Sequence, residues 1–399
     1  MINIIINVVD DLMGVGKTSW AIQKMNGGSE YKFIYITPYL KEISRIKKQC
    51  KNIRFYEPNV KNGKGSKLND FHNLLQKEKN IISTHSLFSM ATDTTRELIN
   101  AGNYILILDE VMNVIEELKL RKDDIKLMKS DNLIEVQDNL VIWNKDKIDY
   151  DSEYNYIKKM ALNKCLFIVN DIVLMWTFPI NIFECFKDIY ILTYLFEGQI
   201  QKYYYDLYNV QYKYWSIKKA DSYYLLSSGK TKRNVGKFKI NIIDNDKINN
   251  IGENENSLSA TWYLKNKKEP IIKVLKNNLY NYFFNKCQSK TNEVLWTTFK
   301  EHMHSLKGKG YTKGFLSLNA RATNDYKHTK YLAYCCNRYL NPFVKHFFQQ
   351  NNVSVNEDMY ALSEMLQWIW RSAIREGNEI WIYIPSRRMR KLLQNWLEN

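Results

Sequence analysis

The feature that most constrains the fold lies near the start of the chain, where an apolar run leads directly into a glycine-containing loop. Residues 2–9 read INIIINVV, residues 10–19 read DDLMGVGKTS, and the helix-like stretch WAIQKM follows. A strand, a glycine turn and a helix in this order form the context that a phosphate-binding loop requires. The chain is therefore predicted to contain an α/β domain whose first strand ends at such a loop.

The loop departs from the usual G-x-x-x-x-G-K-[ST] pattern at one position. Asp11 stands where the first glycine is expected, while Gly16, Lys17 and Thr18 fill the last three places. Gly14 and Gly16 allow backbone N–H groups to approach phosphate oxygens, Lys17 can reach the β and γ phosphates, and Thr18 can bind magnesium. We therefore predict ATP and Mg²⁺ as cofactors. The predicted nucleotide-binding residues are Gly14, Val15, Gly16, Lys17, Thr18 and Ser19.

An acidic pair follows a later apolar run. The segment NYILILDEV, residues 103–111, places Asp109 and Glu110 directly after four apolar residues. A carboxylate at the end of a central strand can hold Mg²⁺, and its neighbour can polarise an attacking water. Such runs ending in Asp-Glu also occur by chance, and the prediction depends on the loop upstream. Thr18 and Asp109 are the predicted metal ligands, and Lys17, Asp109 and Glu110 are predicted catalytic residues.

The chain as a whole reads as two α/β domains. The first half alternates apolar runs with helical stretches, a pattern typical of a parallel sheet, and a similar alternation without a glycine loop begins near residue 257. Within this second half, residues 331–350 are predicted to be helical. The predicted division is an N-terminal domain at 1–199 with an irregular, β-containing insertion near 112–170, a linker or insertion at 200–256, and a C-terminal domain at 257–399.

Composition and charge narrow the possible partners. The 399 residues contain 58 Lys and Arg against 42 Asp and Glu, a formal charge of +16, which favours a polyanion such as nucleic acid. A chain rich in Lys, Asn, Ile and Tyr can also reflect an AT-rich genome. No apolar run reaches the length of a membrane span, and the start of the chain does not resemble a signal peptide. We expect a cytoplasmic protein without a membrane partner, and six cysteines without C-x-x-C spacing predict no zinc site.

A basic segment near the end of the chain offers a cation for phosphate chemistry. In QWIWRSAIREG, Gln367, Arg371 and Arg375 are spaced by four and would share one face of a helix. Either arginine could neutralise charge on a transferring γ-phosphate, and the alternative is a basic helix face in solvent. All three are predicted catalytic residues, with Arg371 ranked first.

The order of these motifs resembles the superfamily 2 helicases, the DEAD/DEAH-like motors, and most closely the helicase-like proteins of phages of low-GC Gram-positive bacteria. In that comparison GVGKTS is similar to motif I, ITPYL to motif Ia, ILDEV to motif II, LWTTF to motif IV, NARATNDY to motif V and QWIWRSAIR to motif VI. Motif III is either residues 192–194 within ILTYLF, which we prefer, or SLSAT at 257–261. Motif II is DEV rather than DEAD or DEAH, and motif VI has Trp370 and Ile374 where the family has glycine and arginine.

The resemblance implies two tandem RecA-like P-loop domains, with parallel sheets flanked by helices and an irregular, β-containing insertion between them. It implies a nucleic-acid-dependent ATPase, a helicase or translocase of phage replication or recombination, acting in the bacterial host cytoplasm on DNA or RNA, with DNA favoured. Replication or loader proteins would be further partners. The strand-end residues expected to grip one nucleic-acid strand through its phosphates are Thr37, Pro38, Thr84, His85, Thr297, Thr298, Thr323 and Asn324.

Two other functions share parts of this pattern. A terminase-like DNA packaging ATPase also carries a loop and an acidic pair, and it usually adds a nuclease domain with clustered acids. A nucleic-acid-binding scaffold with weak or no hydrolysis could keep the loop as a relic, for which Asp11 would be the sign. The presence of Lys17 and Glu110 favours an active hydrolase over the scaffold.

Overall fold

The computed structural model describes residues 4–28, 30–38, 40–318 and 325–398. The chain divides into two compact units, and it crosses between them several times. The first unit contains Met1–Asp11, Gly16–Lys230 and Asn341–Val355, and the second contains Leu12–Val15, Thr231–Leu340 and Asn356–Asn399.

The strands are numbered in chain order. They are β1 (Ile5–Asp10), β2 (Lys32–Thr37), β3 (Phe55–Tyr56), β4 (Asn80–Thr84), β5 (Tyr104–Asp109), β6 (Ile115–Leu118), β7 (Ile134–Gln137), β8 (Leu140–Trp143), β9 (Leu166–Val169), β10 (Val173–Thr177), β11 (Asp188–Thr193), β12 (Gln211–Ala220), β13 (Tyr223–Ser228), β14 (Ile240–Ile242), β15 (Val294–Thr297), β16 (Tyr331–Tyr334) and β17 (Ile380–Tyr383).

The helices are numbered in the same way. They are α1 (Lys17–Asn26), α2 (Leu40–Gln49), α3 (Lys67–Gln76), α4 (His85–Phe88), α5 (Asp93–Ala101), α6 (Lys122–Ser130), α7 (Asn155–Leu162), α8 (Ile200–Leu207), α9 (Asp246–Asn249), α10 (Ala260–Asn266), α11 (Pro270–Tyr280), α12 (Met303–Leu306), α13 (Pro342–Gln350), α14 (Glu357–Ile369) and α15 (Arg387–Glu398).

The main sheet of the first unit has eight strands in the order β13-β12-β1-β11-β5-β2-β4-β3. All neighbouring strands are parallel except β12 and β13, which form an antiparallel hairpin. Every residue of β5 is buried, as expected for a central parallel strand that is covered on both faces. The apolar runs that predicted strands at β1 and β5 therefore mark the centre of this sheet.

A second sheet in the first unit is antiparallel. Its five strands have the order β6-β10-β9-β8-β7. Four of them lie in the region near 112–170 that was predicted as an irregular insertion, and β10 lies just beyond it. Helices α6 and α7 contribute Ile125, Met128, Ile157 and Ala161 to its core, where they meet Trp143 and other apolar residues of the strands. The charged segment thus folds around a small hydrophobic core of its own.

Helix α13 belongs to the first unit although the chain on either side of it belongs to the second. The ring of Phe347 packs edge-on against Phe167 of β9, with 5.3 Å between ring centroids. At the end of the helix, the side-chain amide of Gln350 donates to the carbonyl oxygen of Ile168 at 2.9 Å. These contacts fix α13 to the antiparallel sheet.

The second unit contains a four-stranded parallel sheet in the order β14-β17-β16-β15. Its core is rich in large aromatic side chains, including the fully buried Trp296, Tyr263 and Tyr282. Each finds a backbone acceptor; for example, the Tyr263 hydroxyl donates to the carbonyl oxygen of Cys335 at 2.6 Å. Burial of these three side chains, with their polar atoms paired, stabilises the core of this unit.

The prediction of an α/β chain with parallel sheets is confirmed, with two differences in detail. Residues 331–350 were predicted to be helical, but Tyr331–Tyr334 form β16 inside the second sheet, because a short apolar run fits a buried strand as well as a helix. Residues 200–256 were predicted as a linker or insertion, but they supply β12 and β13 to the first sheet and β14 to the second.

None of the helices in the described ranges is both long enough and apolar enough to span a membrane.

Candidate functional site

The predicted loop and the acidic pair lie at the same edge of the main sheet. Strand β11 lies between β1 and β5, and its register places Thr193 beside Asp10 and Leu192 beside Asp109. Since all three strands are parallel, their carboxyl ends meet at this edge. The amide of Asp11 donates to the carbonyl oxygen of Thr193 at 3.1 Å, which continues the pairing beyond β1. The sheet thus brings together two motifs separated by about ninety residues of sequence.

The loop backbone uses two glycines in the left-handed region. Gly14 has φ +83° and Gly16 has φ +106°, and Gly16 is the N-cap of α1. A side chain at Gly16 would also clash with the ring of Tyr224 from β13. Glycine at position 16 is therefore required twice, once by backbone conformation and once by space. Gly16 leads directly into α1, and the start of a helix is a place where backbone amides can bind an anion.

Lys17, the first residue of α1, is surrounded by acidic groups. Its ammonium donates to the main-chain carbonyl oxygen of Asp11. Burial lowers the pKa of Lys17, and the carboxylates of Glu110, Asp11, Asp10 and Asp109 act against this shift. The structure therefore brings together Lys17 and the predicted acidic pair, as the sequence implied.

The surroundings of Asp109 strongly alter its protonation. Only 9% of it is exposed. Burial raises the pKa of Asp109 to about 7, the neighbouring carboxylates of Glu110 and Glu42 act in the same direction, and Tyr35 and Arg45 oppose them. A buried carboxylate among other carboxylates is stabilised in its charged form by a cation. This donor chemistry fits a magnesium ion.

Glu110 follows Asp109 in a conformation that is uncommon for a residue with a side chain. Its φ is +69°, in the left-handed region. Its amide is held by the carbonyl oxygen of Leu192 on β11 at 3.0 Å. The turn immediately after β5 thus fixes the backbone of Glu110 against the neighbouring strand, and such strain is found at functional sites more often than elsewhere.

The described residues contain no group of three or more His, Cys, Asp or Glu side chains placed to hold a metal ion. Magnesium commonly binds through one or two carboxylates together with phosphate oxygens and water. Binding of magnesium by Thr18 and Asp109 stays a prediction. Thr18, the second residue of α1, and Ser19 are half-buried beside Lys17, and Val15 precedes the N-cap.

Asp11 has a structural partner that the sequence did not reveal. One carboxylate oxygen of Asp11 accepts the backbone amide of Ile217 from β12 at 2.8 Å, and Asp11 is only 3% exposed. The acid that replaces the first glycine therefore joins the loop to the adjacent strand. Its presence at this position therefore has a physical reason in the fold.

A cluster beside Asp10 was also not anticipated. The ammonium of Lys230 lies 3.7 Å from a carboxylate oxygen of Asp10 and 2.9 Å from Glu197, whose carboxylate also accepts the Tyr214 hydroxyl at 2.7 Å. Burial raises the pKa of Asp10, and Lys230 acts against that shift. Only the position of Asp10 at a strand end could have drawn attention to this cluster, since Glu197 and Lys230 are far away in sequence.

In the first unit, the predicted nucleic-acid contacts lie at the same edge of the sheet. Thr37 and Thr84 are register partners at the carboxyl ends of β2 and β4. Thr37 is fully buried and is followed by Pro38, whereas Thr84 is half-buried and its hydroxyl accepts the amide of Leu87 at 3.3 Å. His85 begins α4 and is buried. The structure groups these residues, and their contact with nucleic acid stays a prediction.

In the second unit, the predicted contacts are less accessible. Thr297 ends β15, Thr298 follows it, and both are fully buried. Thr323 and Asn324 lie outside the described residues. Of the two positions considered for motif III, residues 192–194 lie at the end of β11, whereas SLSAT at 257–261 forms the turn that starts α10.

The arrangement predicted for Gln367, Arg371 and Arg375 is wrong in one respect. Helix α14 ends at Ile369 and a turn follows, in which the Ser372 hydroxyl and amide both donate to the Ile369 carbonyl oxygen. Gln367 is therefore on the helix and Arg371 is in the turn, while Arg375 is exposed on a following short 3₁₀ segment. The three side chains do not share one helix face, because the serine ends the helix before Arg371.

The fold and this edge define an α/β protein with a glycine loop after β1 and an acidic pair after β5, two strands separated by β11 in one largely parallel sheet. Over 408 aligned residues the chain is 46% identical to the SPbeta prophage-derived uncharacterized protein YonV of Bacillus subtilis (strain 168), with 99% of both chains covered. The chain belongs to the YonV family. Family models match in two places, the YonV middle domain at residues 115–176 and the YonV C-terminal Rossmann-like domain at residues 235–397.

The middle-domain match coincides with the antiparallel sheet, and the Rossmann-like match covers the parallel sheet of the second unit. Among solved structures, that of S. tokodaii Xpd4 aligns with 98% of this chain and 94% of its own length at 13% identity, with a TM-score of 0.47. We infer neither fold nor function from a similarity at that level. The resemblance to superfamily 2 helicases stays a prediction.

Proposed function

We propose that this protein is an ATP hydrolase that binds Mg²⁺-ATP at the loop of residues 14–19 and couples hydrolysis to movement on, or remodelling of, nucleic acid. The observation that supports the proposal most directly is the electrostatic coupling of Lys17 to Asp109 and Glu110 at one edge of the main sheet. A lysine at a helix start facing an acidic pair is the arrangement that binding and cleavage of a phosphoanhydride require.

The residues of the chain would divide the work as follows. The amides at the start of α1 and the ammonium of Lys17 bind phosphate oxygens, and Thr18 and Asp109 hold the metal ion. When bound, Mg²⁺ supplies neutralisation of the charge that develops on the phosphates. The carboxylate of Glu110, fixed after β5, accepts a proton from the attacking water and orients it.

Lys17 and the acidic groups also support each other without a nucleotide. Burial lowers the pKa of Lys17, and four acidic side chains act against that shift and favour its charged form. When a polyphosphate binds with its magnesium ion, Lys17 would pair with phosphate oxygens and the carboxylates would pair with the cation. The charge pattern of the site therefore suits a metal–phosphate complex better than either ion alone.

Nucleic acid is the proposed second partner because of the distribution of charge. The antiparallel sheet region, residues 115–176, contains 10 Lys and Arg against 12 Asp and Glu. The excess positive charge of the chain therefore lies outside it, in the parts that contain the two parallel sheets. A polyanion would be attracted to those parts. DNA replication or recombination of a phage, in the cytoplasm of the host, is the proposed setting, since the relative is prophage-derived.

In this proposal both parallel sheets belong to RecA-like domains, of which only the first carries a nucleotide loop. Arg371 of the second sheet's unit is the proposed cation that neutralises the transferring phosphoryl group. The hydroxyl of the half-buried Thr84 is the proposed strand-end contact with the phosphates of one nucleic-acid strand.

The experiment that tests the function is phosphate release from ATP by the purified full-length protein, alone and with single-stranded DNA, duplex DNA or RNA. The Lys17→Ala variant serves as the inactive control. Hydrolysis that one polymer stimulates strongly and that the variant lacks would support the proposal and identify the polymer. Hydrolysis at the same rate with every polymer would contradict the proposed role of nucleic acid. The absence of hydrolysis under every condition would contradict the proposed ATPase activity.

A further inference from the structure

The β12–β13 hairpin makes a series of contacts with the loop and with α1. It lies next to β1 in the main sheet, through the parallel pairing of β1 with β12. The last register pair of these two strands is Val9 with Trp215. Beyond this pair, the next bond between the two segments is made by a side chain. There the carboxylate of Asp11 accepts the amide of Ile217, in the place that a backbone carbonyl would otherwise fill.

Asp11 therefore makes two contacts, one through its side chain and one through its main chain. Its carboxylate is bonded to β12, and its main-chain carbonyl oxygen accepts the ammonium of Lys17. A carboxylate bonded to a backbone amide forms one of the stronger hydrogen bonds in proteins, and this one is shielded from water because Asp11 is buried. The position of the Lys17 ammonium is therefore connected through one residue to the hairpin.

Two further contacts join the hairpin to the helix that follows the loop. The ring of Tyr224 covers Gly16, and its amide donates to the side-chain carbonyl of Gln23 on α1 at 2.8 Å. The side-chain amide of Gln23 in turn donates to the carbonyl oxygen of Ser222 at 3.3 Å. The hairpin thus holds the loop from both of its ends.

We propose that Asp11 is a positioning residue: it fastens the loop to the β12–β13 hairpin and so fixes where the Lys17 ammonium lies for phosphate binding. The part concerning phosphate rests on the proposed function, whereas the fastening itself does not. The glycine of the usual pattern could not make this bond, since it has no side chain. The acid therefore replaces the conformational freedom of glycine with a fixed attachment to the neighbouring strand.

The test compares three substitutions at one position. Asp11→Asn keeps an oxygen that can accept the Ile217 amide, Asp11→Ala removes it, and Asp11→Gly removes it while restoring the usual motif. Hydrogen exchange of the loop amides, residues 12–18, is measured without nucleotide, and the KM and kcat for ATP are measured alongside. Melting temperatures identify any variant that is simply unfolded.

The expected result is faster exchange of the loop amides by about tenfold or more in the Ala and Gly variants, as expected for loss of a hydrogen bond to a charged group. The KM for ATP rises by about tenfold in both, with a smaller change in kcat. The Asn variant stays within about threefold of the wild type in exchange and in KM, since its acceptor is kept. A Gly variant equal to the wild type in exchange and KM would overturn the proposal.

Gln23 and Asn26 on α1 offer a second pair of variants that keeps the test decisive if Asp11→Ala and Asp11→Gly do not fold. Gln23→Ala removes two hydrogen bonds to the hairpin, and Asn26→Ala removes two others, one to Gln49 at the end of α2 and one to Asn52 in the segment after it. Faster exchange in the loop is expected for Gln23→Ala and not for Asn26→Ala. Equal effects of the two would overturn the attachment of the loop to the hairpin.

The outcomes separate this inference from the proposed function. A wild-type protein without ATP turnover, together with the expected exchange pattern, would refute the hydrolase and leave Asp11 as the attachment of the loop. A wild-type protein that hydrolyses ATP, together with Asp11→Gly kinetics and exchange like its own, would refute the inference and leave the hydrolase intact.

Discussion

The backbone amide of Glu110 donates a hydrogen bond to the carbonyl oxygen of Leu192 at 3.0 Å. This bond fixes the acidic pair to β11, the strand that also pairs with the strand leading into the glycine loop. The loop and the acids are therefore held by one continuous ladder of main-chain hydrogen bonds. A rigid sheet edge of this kind can keep two groups at a constant separation during a reaction.

Glu110→Gln should lower the rate of ATP hydrolysis by about 10²- to 10⁴-fold, the range in which general bases contribute. The affinity for ATP should change only a few-fold, since the amide has nearly the same shape. Single-turnover hydrolysis and equilibrium binding measure the two quantities. Glu116→Gln, an exposed glutamate on β6, is the control and should behave as the wild type. An unchanged hydrolysis rate in Glu110→Gln would remove Glu110 from the mechanism.

Arg371→Ala should lower turnover by about 10³-fold, in the lower part of the range reported for arginines that neutralise a transferring phosphoryl group, and it should weaken ATP binding far less. Arg375→Ala should have a smaller effect, because Arg375 is exposed and lies beyond the turn that ends α14. Steady-state kcat and equilibrium binding of ATP in both variants provide the comparison. If Arg375→Ala had the larger effect on kcat, the ranking of the two arginines would be reversed.

Phe347→Ala should destabilise the first unit by about 3–5 kcal/mol, the usual cost of removing a buried phenylalanine. Phe347 is fully buried against Phe167, so the truncation leaves a cavity between α13 and the antiparallel sheet. Urea unfolding gives the free energy of unfolding. The exposed Gln349→Ala on the same helix should stay within about 0.5 kcal/mol of the wild type. A small loss in Phe347→Ala would show that α13 is not held by this contact.

Lys230→Gln should reduce stability near neutral pH and much less in acid. Burial alone would raise the pKa of Glu197, but hydrogen bonds from Lys230 and Tyr214 hold it below its usual value. A lowered carboxyl pKa contributes stability above the unfolded pKa, near 4.3, and that contribution is lost as the pH falls through the folded value.

Because both side chains are more than a third exposed, the loss at neutral pH should be no more than about 1 kcal/mol. Thermal unfolding of the variant and the wild type from pH 3 to pH 8 measures it. The difference between the two proteins should shrink below about pH 4. A difference that stays constant over this range would show that the ion pair with Glu197 is not its source.

The sequence predicted those parts of the fold that depend on local pattern. The apolar runs at β1 and β5 have the length and composition of buried parallel strands, and the glycine loop between β1 and α1 fixes their order. Lys17 and Glu110 were named because their chemistry is tied to these local signals. The antiparallel sheet was visible only as a charged, irregular segment.

The remaining features depend on pairing between distant residues, which a single sequence does not encode in a readable form. The bond from Ile217 to Asp11 joins residues 206 positions apart, and nothing near Asp11 indicates it. The apolar run containing Tyr331–Tyr334 is so short that the spacing of its apolar residues does not distinguish a strand from a helix. Arg371 was placed on a helix because its spacing from Gln367 fits one, whereas Ser372 bonds back to Ile369 and the helix ends.

The most direct test of the central claim is calorimetric titration of ATP, with magnesium present, into the full-length protein and into Lys17→Ala. Lys24→Ala, which changes a lysine on the same helix that stacks over Tyr190, is the matched control. We expect one ATP to bind to the wild type and to Lys24→Ala, and binding to Lys17→Ala to be weaker by at least about a hundredfold, the loss of a charge-assisted contact in a partly buried site. Equal binding to all three proteins, or no binding to the wild type, would contradict the assignment of this loop as the nucleotide site.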